Sequence, residues 1–172
     1  MNEFYARAAA AVAPTYKNDG YRRSEKQDME KVKLEQLKRV AKNIRLGAVQ
    51  AVYSASSGHP GGSLSIADVL AYLYFEEMNI DPADPHKADR DRLVLSKGHT
   101  TPGLYATLAE RGYFPKESLT TFRQIDSNLQ GHPDMKGTPG VDMTTGSLGL
   151  GFSAACGMAL GSRIKGYNNH IY

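Results

Sequence analysis

The sequence predicts an α/β fold in which helices flank a short, mostly parallel sheet. Two observations predict it. Stretches with apolar residues at three- and four-residue spacing alternate with short apolar runs rich in β-branched residues, and glycine- and proline-containing loops separate them. With 172 residues, 41% of them hydrophobic, the chain is long enough for one domain with its own core.

The first part of the chain divides into an extension and a helix. Residues 1–28 are predicted to be a flexible N-terminal extension, and residues 29–172 to form the domain. A helix is predicted from about residue 30 to residue 54, and the stretch SSGHPGGS ends it because glycine and proline do not support a helix. Its apolar stripe consists of Leu34, Leu37, Val40, Ala41, Ile44, Ala48 and Val52.

A second helix is predicted from about residue 66 to residue 78. Ser65 would cap its first turn, and Asp68 would lie favourably near the positive end of the helix dipole. Its expected buried face consists of Ile66, Val69, Leu70, Leu73 and Tyr74.

The remaining segments complete the predicted sheet and its covering helices. RLVLS at 92–96 and NNHIY at 168–172 are expected to be strands, and another short strand is expected near Val141. Helices are expected from Pro102 to Gly112, over the short PKESLTTFRQI segment, and over the glycine- and alanine-rich stretch that follows TTGSLGLG.

Composition limits the location and the partners. No stretch approaches the roughly 20 apolar residues that cross a bilayer, and no secretory signal is recognisable, so we expect a cytoplasmic protein without a membrane partner. The net charge of +3 comes from the first 45 residues, which carry an excess of +5. In the stretch YRRSEKQDMEKVKLEQLKRVAK both signs are interspersed with no aromatic platform of the kind that stacks bases, so we expect a solvated helix face and no nucleic-acid partner.

The single cysteine, Cys156, excludes an intramolecular disulfide. Its neighbours are small and apolar, so we expect a buried, inert thiol.

Three of the five histidines directly follow a glycine in a loop: His59, His99 and His132. Histidine offers a donor, an acceptor and a pKa near neutrality, while glycine lets the backbone approach a ligand closely. A local structural role for each histidine remains possible. If they act together, a three-histidine metal site is disfavoured because separations of 40 and 33 residues match no local metal motif.

An anionic or polyhydroxyl ligand is the better alternative for these loops. The segment TTGSLGLG places glycines at a helix start, where free N–H groups and the positive end of the helix dipole favour phosphate or a cofactor ring. Its glycines at 146, 149 and 151 do not have the dinucleotide-binding spacing, and helix packing alone also explains them.

Taken together and in order, SGHPGGSLSIADVL, DRLVLSKGH and LQGHPDMKGTPGVDMTTGSLGLGFSAACGMAL resemble the N-terminal, diphosphate-binding region of transketolase. The resemblance runs from about residue 30 to Tyr172 and is close to the N-terminal subunit of the split bacterial form. It implies a partial thiamine diphosphate-binding fold and transfer of a two-carbon ketol unit from a ketose phosphate to an aldose phosphate, with the cofactor as electron sink.

The resemblance also implies roles for individual residues. His59 and His132 match histidines that line the substrate channel, and His99 matches a histidine beside the cofactor diphosphate and the reacting carbon. Asp142, Thr145, Ser57 and Ser96 are given supporting roles only. The implied catalytic residues are His59, His99 and His132, and the implied cofactor-binding residues are His99, Gly146, Ser147 and Leu148.

The family's metal-binding motif is not found in this sequence. The family continues beyond the position of Tyr172 into a strand with a G-D-G motif, whose residues and a later asparagine hold Mg²⁺, so we expect no metal ligand here. The resemblance also implies that the partner is the C-terminal half of a split transketolase, in a homodimeric or heterotetrameric assembly. We expect exposed apolar surface on the small-residue helix.

Two alternatives stay open. The chain could be a non-catalytic truncated fragment or assembly module, or it could resemble 1-deoxyxylulose-5-phosphate synthase, which shares the cofactor. The SGHPGG and QGHPD loops favour transketolase over the synthase.

Overall fold

The structure is a computed structural model that describes the backbone of residues 20–172 and the side chains of residues 30–172. The α-helices are α1 (Gly20–Ala55), α2 (Pro60–Tyr72), α3 (Thr101–Arg111) and α4 (Leu150–Ile164). A π-helical turn, Leu73–Glu77, continues α2, and 3₁₀ turns at Gly98–Thr100 and Lys116–Thr121 flank α3.

Residues Glu35–Tyr172 form one compact unit, which contains every site discussed below. The other unit is Met1–Leu34, and there the structure describes only the start of α1. The flexible extension predicted over residues 1–28 therefore lies largely outside the described residues, and its boundary stays a prediction.

The core forms around α3, in which every residue from Thr101 to Ala109 is buried. The predicted stripe of α1 is confirmed at Val40, Ala41, Ile44 and Ala48, whereas Leu34 is 52% exposed. The predicted glycine end of α3 is also confirmed: Gly112 has φ +97° and closes the helix in the left-handed conformation.

Ser63 on α2 fixes the crossing of α2 and α3. Its hydroxyl accepts the N–H of Gly103 at 3.1 Å and donates to the carbonyl of Thr100 at 3.2 Å. A Cβ on Gly103 would lie 3.1 Å from the Cα of Ser63, so a larger residue would push the helices apart. Because α2 follows His59 and α3 follows His99, this crossing brings two of the histidine loops to the same place.

The predicted parallel sheet is not present among residues 20–172. The expected strands at 92–96 and 168–172 meet in one parallel bridge between Arg92 and Ile171, and the strand expected near Val141 does not form. Three backbone bonds of 2.8 to 3.0 Å hold the pair: Arg92 N to His170 O, Val94 N to Tyr172 O and Tyr172 N to Arg92 O. A lone pair of short segments lacks the further strands that make a sheet stable.

The predicted start of α2 was wrong. The helix begins at Pro60, six residues before the expected start, because proline at the first helical position loses no hydrogen bond and already has a helical φ. Ser65 consequently lies inside the helix, and its hydroxyl donates back to the carbonyl of Gly62 at 3.0 Å. The expected buried face holds at Leu70, Leu73 and Tyr74, but Val69 is 46% exposed.

The expectation of a buried Cys156 was also wrong, since Cys156 is exposed. On α4 only Gly151 and Ser162 are buried. The predicted exposure of apolar surface on this helix is confirmed, with Phe152 71%, Leu160 60% and Ile164 77% exposed. No helix in the described part of the chain is both long and apolar enough to cross a membrane.

The burial of two core tyrosines can be tested by measuring how the stability of the fold changes at alkaline pH. Burial raises the pKa of Tyr74 and of Tyr105 above the ordinary value of 10.0. A pKa raised on folding means that the phenol stabilises the fold fully below about pH 10 and that this contribution is lost as the pH rises further.

We therefore expect two steps when the 10 tyrosines are titrated by absorbance at 295 nm. In the second step Tyr74 and Tyr105 ionise, together with loss of the helical circular dichroism signal. Tyr105→Phe should remove one phenol from the second step. Ionisation of every tyrosine near pH 10 with the helices intact would contradict the burial of these two.

Candidate functional site

The first histidine loop joins α1 to α2 and presents His59 at its end. Gly58 has φ +144°, and a Cβ there would lie 2.8 Å from Val52 Cγ2 and 3.3 Å from Phe122 Cε1, so this position requires glycine. His59 is the residue before Pro60, the first helical residue, and its side chain makes no capping hydrogen bond. The exposed imidazole is therefore available to a ligand.

The second histidine loop is held by the segment that precedes α4. Gly98 is buried, and a Cβ there would lie only 2.5 Å from the carbonyl oxygen of Thr145. The ammonium of Lys97, two residues before half-buried His99, donates to the carbonyl of Gly62 at 3.1 Å, so a cation lies against the first turn of α2.

The third histidine loop is attached to α3. The hydroxyl of Tyr105 donates to the carbonyls of Gln130 at 2.9 Å and His132 at 3.2 Å, and the hydroxyl of Thr101 donates to the carbonyl of Gly131 at 3.1 Å. These bonds satisfy the backbone of the loop and leave the imidazole of His132 exposed.

The structure brings the predicted site residues together in two pairs. The rings of His59 and His99 meet edge to face with centroids 5.2 Å apart. A Cβ on Gly146 would lie 4.0 Å from Cδ2 of His132. Because Gly98, next to His99, contacts Thr145, the residue before Gly146, the two pairs lie close to each other.

The start of α4 differs from the expectation of free N–H groups. Ser96 takes two of them: its carbonyl accepts the N–H of Gly149 at 3.2 Å and its hydroxyl accepts the N–H of Phe152 at 3.1 Å. This helix end is therefore partly capped and less suited to bind phosphate than predicted. Ser147 and Leu148 are exposed just before it, and Leu148 is 74% exposed, which suits contact with an apolar ring.

Asp142 and Thr145 contact structural elements only. Asp142 accepts the N–H of Leu93 at 2.9 Å and pairs with Arg90 at 2.5 Å, while the hydroxyl of Thr145 donates to the carbonyl of Leu95 at 2.7 Å. Burial raises the pKa of Asp142 above its ordinary value, and the Arg90 guanidinium opposes that rise. Both side chains thereby hold the segment before Gly146 against residues 93–95.

In the described part of the chain, no group of three or more His, Cys, Asp or Glu side chains is placed to hold a metal ion. A cavity of about 590 Å³ lies apart from the histidine loops, between the 85–92 loop, residues 135–142 and the C-terminal half of α4. None of the predicted site residues lines it. The histidines form an open surface, with His59 and His132 exposed.

Sequence reasoning missed two basic residues at this surface, Lys97 and Arg123. Lys97 immediately precedes the second Gly-His pair, so its position in SKGH was a usable signal. Arg123 lies eight residues before Gly131, and only the folded chain places its guanidinium beside Ser57, at 2.6 Å from the serine hydroxyl.

The chain matches a known family and several known proteins. Residues 36–170 match the family described as transketolase, thiamine diphosphate binding domain. The 6-deoxy-6-sulfo-D-fructose transketolase subunit of a Clostridium species is 53% identical over 136 residues, which are 79% of this chain and 50% of that protein. An apulose-4-phosphate transketolase subunit of Actinobacillus succinogenes is 42% identical, over 80% of this chain and 50% of that protein.

Longer relatives match over the same region. The transketolase of Mus musculus is 44% identical over 82% of this chain and 22% of its own length. The solved structure of transketolase from Leishmania mexicana superimposes with a TM-score of 0.70 and 42% identity, over 72% of this chain and 19% of that chain. The chain thus spans about half the length of the two subunits and about a fifth of the longer proteins.

Proposed function

The chain belongs to the transketolase family through its thiamine diphosphate-binding domain, and from that membership we propose that it is the N-terminal portion of a ketol transferase. The reaction moves a two-carbon ketol unit from a ketose phosphate to an aldose phosphate. The observation that carries the proposal is the convergence of the three Gly-His loops with residues 146–148 on one surface. We assign the domain to residues 29–172 and an extension to residues 1–28.

The residues at this surface fit thiamine diphosphate. Leu148 offers an exposed apolar side chain to the cofactor rings, and Gly146 leaves room for a ring to approach the backbone. Lys97, two residues before His99, holds a positive charge against the first turn of α2, and this charge would pair with the diphosphate. Thiamine diphosphate, when bound, supplies the electron sink for cleavage of a carbon–carbon bond.

The histidines supply hydrogen bonds and proton transfer to the sugar. His59 and His132 are exposed and have no side-chain hydrogen bond in the described part of the chain, so both rings can bind the hydroxyl and carbonyl oxygens of a ketose. An imidazole can donate a proton to a developing alkoxide and later remove one. His99, in edge contact with His59, would lie beside the diphosphate and the reacting carbon.

The substrate is proposed at the level of its class. The names of the two split relatives specify 6-deoxy-6-sulfo-D-fructose and apulose-4-phosphate, which are different sugars, so we infer a ketose donor without choosing one. We assign the reaction to carbohydrate metabolism of the pentose phosphate type, in the cytoplasm, and Mg²⁺ would be a second cofactor, held by the family's G-D-G segment.

The exposure of the site to solvent supports the proposal that a second polypeptide covers it. His59, His132, Ser147 and Leu148 are all exposed, and a site that must exclude water around a cofactor needs a cover. We propose a C-terminal transketolase subunit for this role, within a homodimer or heterotetramer. The exposed apolar residues of α4 favour such an association.

Calorimetry tests the proposal. Titration of the isolated 172-residue chain with thiamine diphosphate in millimolar Mg²⁺ should give no saturable binding at micromolar concentrations, because the site is open to water. Micromolar binding, and transfer from xylulose 5-phosphate to ribose 5-phosphate, should appear when the chain is extended through the family's G-D-G segment and the C-terminal subunit of a split transketolase is added. His99→Ala should weaken that binding by at least about tenfold, since it removes a contact to the diphosphate.

His86→Ala is the matched control, because His86 is an exposed histidine in the 85–92 loop. Micromolar Mg²⁺-dependent binding by the isolated chain would refute the need for a partner. Association with the C-terminal subunit without cofactor binding or turnover would instead identify a non-catalytic assembly module.

A further inference from the structure

We propose that Arg123 is a positioning residue that holds the first and third histidine loops in a fixed relation to each other. Its importance for catalysis rests on the proposed function, but its effect on the two loops does not. The loops concerned are residues 56–59 and 129–132.

The guanidinium of Arg123 touches both loops. Its Nη1 donates to the hydroxyl of Ser57 in the first loop at 2.6 Å. In the third loop, a Cβ on Gly131 would lie 2.8 Å from Arg123 Nε and 3.1 Å from Nη2. The planar guanidinium group therefore packs directly against the backbone of Gly131. Any side chain at Gly131 would displace it.

Phe122, the residue before Arg123, packs against Gly58, the glycine of the first loop. Its ring is buried, and a Cβ on Gly58 would lie 3.3 Å from Phe122 Cε1. The Arg123 guanidinium carbon lies 5.5 Å from the centre of this ring, within the range of a cation–π contact. Two consecutive residues therefore contact the two glycines that precede the exposed histidines, His59 and His132.

The backbone of Arg123 is unusual for a non-glycine residue. Its φ is +62°, in the left-handed region, and its N–H donates to the carbonyl of buried Leu129 at 2.9 Å. Its Nε is buried and has no hydrogen-bond partner in the described part of the chain. Both features are unfavourable, and a residue kept under such constraint points to a role for its side chain.

No other hydrogen bond joins the two loops within residues 30–172. Thr101 and Tyr105 bind the third loop to α3 without reaching the first. The first loop bonds to α1 through Ser57 N and Val52 O at 3.2 Å. Arg123 is therefore the direct polar link between them.

Histidine ring NMR of the labelled 172-residue chain tests the link. Arg123→Ala and Arg123→Gly should both shift or broaden the ring Cε1–H signals of His59 and His132 and leave those of His86 and His170 unchanged. Glycine adopts the positive φ of position 123 without strain, whereas alanine does not, so the two variants should differ in their free energy of unfolding. If both variants nevertheless change the histidine signals equally, the change comes from loss of the arginine side chain and not from backbone strain. Arg123→Lys keeps the charge but loses the planar fork, so the His132 signal should still move.

Arg111→Ala is the matched control, because Arg111 also combines a backbone hydrogen bond, to Tyr74 O at 3.0 Å, with a cation–π contact, to Phe75 at 5.8 Å. It should leave the His59 and His132 signals in place. Unchanged signals in both Arg123→Ala and Arg123→Gly, or equal shifts of all five histidines, would overturn the proposal.

The assembled enzyme gives a second readout. There Arg123→Ala should lower kcat by about tenfold to a hundredfold at nearly constant cofactor Kd, as expected when reacting groups are displaced by about 1 Å. An unchanged kcat would refute a catalytic effect of the positioning. If the unaltered chain, extended through the G-D-G segment, shows neither cofactor binding nor turnover with its C-terminal counterpart, the proposed function fails, and the NMR result alone decides whether Arg123 positions the loops.

Discussion

His59→Ala and His132→Ala are each expected to lower the kcat of the assembled transferase by about 10²- to 10⁴-fold while changing the cofactor Kd by less than about threefold. Both imidazoles are exposed on the side of the site assigned to the sugar, so their removal takes away proton transfer and hydrogen bonding to substrate. It does not remove a contact to the diphosphate. The measurement is single-turnover ketol transfer together with calorimetric cofactor binding.

Stability should change little in these two variants. The His59 side chain makes no capping bond, and His132 is attached through its backbone carbonyl, so the free energy of unfolding should stay within about 0.5 kcal/mol. His86→Ala again serves as the control and should leave kcat unchanged. Equal losses of kcat and of cofactor affinity would mean that the loops bind the cofactor rather than the sugar.

Gly98→Ala is expected to lower the free energy of unfolding by about 3 kcal/mol, the upper part of the range for overpacking a core. The new Cβ would lie 2.5 Å from the carbonyl oxygen and 2.8 Å from the carbonyl carbon of Thr145. These are backbone atoms, and the Thr145 hydroxyl bond to Leu95 O restricts their movement. Relief of the contact would move His99 or the segment leading to Gly146.

Gly61→Ala is the matched control, since a Cβ at Gly61 would meet nothing within 4 Å. In the first turn of α2, alanine should be neutral or stabilise by up to about 1 kcal/mol. Urea unfolding of the 172-residue chain, followed by circular dichroism, gives both values. A similar stability for the two variants would contradict the tight contact between the second histidine loop and Thr145.

The helices were predictable because they depend on local patterns. The spacing of Val40, Ala41, Ile44 and Ala48 forms one face at about 3.6 residues per turn whatever packs against it, and the glycine after Arg111 ends α3 by its own conformational freedom. The start of α2 was mispredicted because two signals competed. Proline within a pattern indicates the end of a helix, whereas at the first helical position, where Pro60 lies, it is favourable.

The sheet and the environment of Cys156 could not be read from local patterns. A short segment forms a strand only where neighbouring strands pair with it. Within residues 20–172, the 92–96 and 168–172 segments form a β-bridge only with each other. Small apolar neighbours predicted burial of Cys156, yet burial requires a facing element, and most of α4 is exposed in this chain.

The site was predictable only in part. The repeated Gly-His pairs and the TTGSLG segment identified residues that the fold brings onto one surface. Arg123 was not identified, because its importance comes from a positive φ and from contacts with residues 66 positions away at Ser57 and eight positions away at Gly131. Such long-range contacts leave no periodic signal in a single sequence.

The exposed face of α4 also gives the chain a chemical probe of its own. Phe152, Cys156, Leu160 and Ile164 recur every four residues, so the only thiol in the sequence lies in the middle of the apolar stripe. Its rate of labelling by a maleimide dye therefore reports the accessibility of that stripe, with no engineered cysteine. Any protein surface that closes over α4 can be followed in real time by the protection of this one sulfur atom.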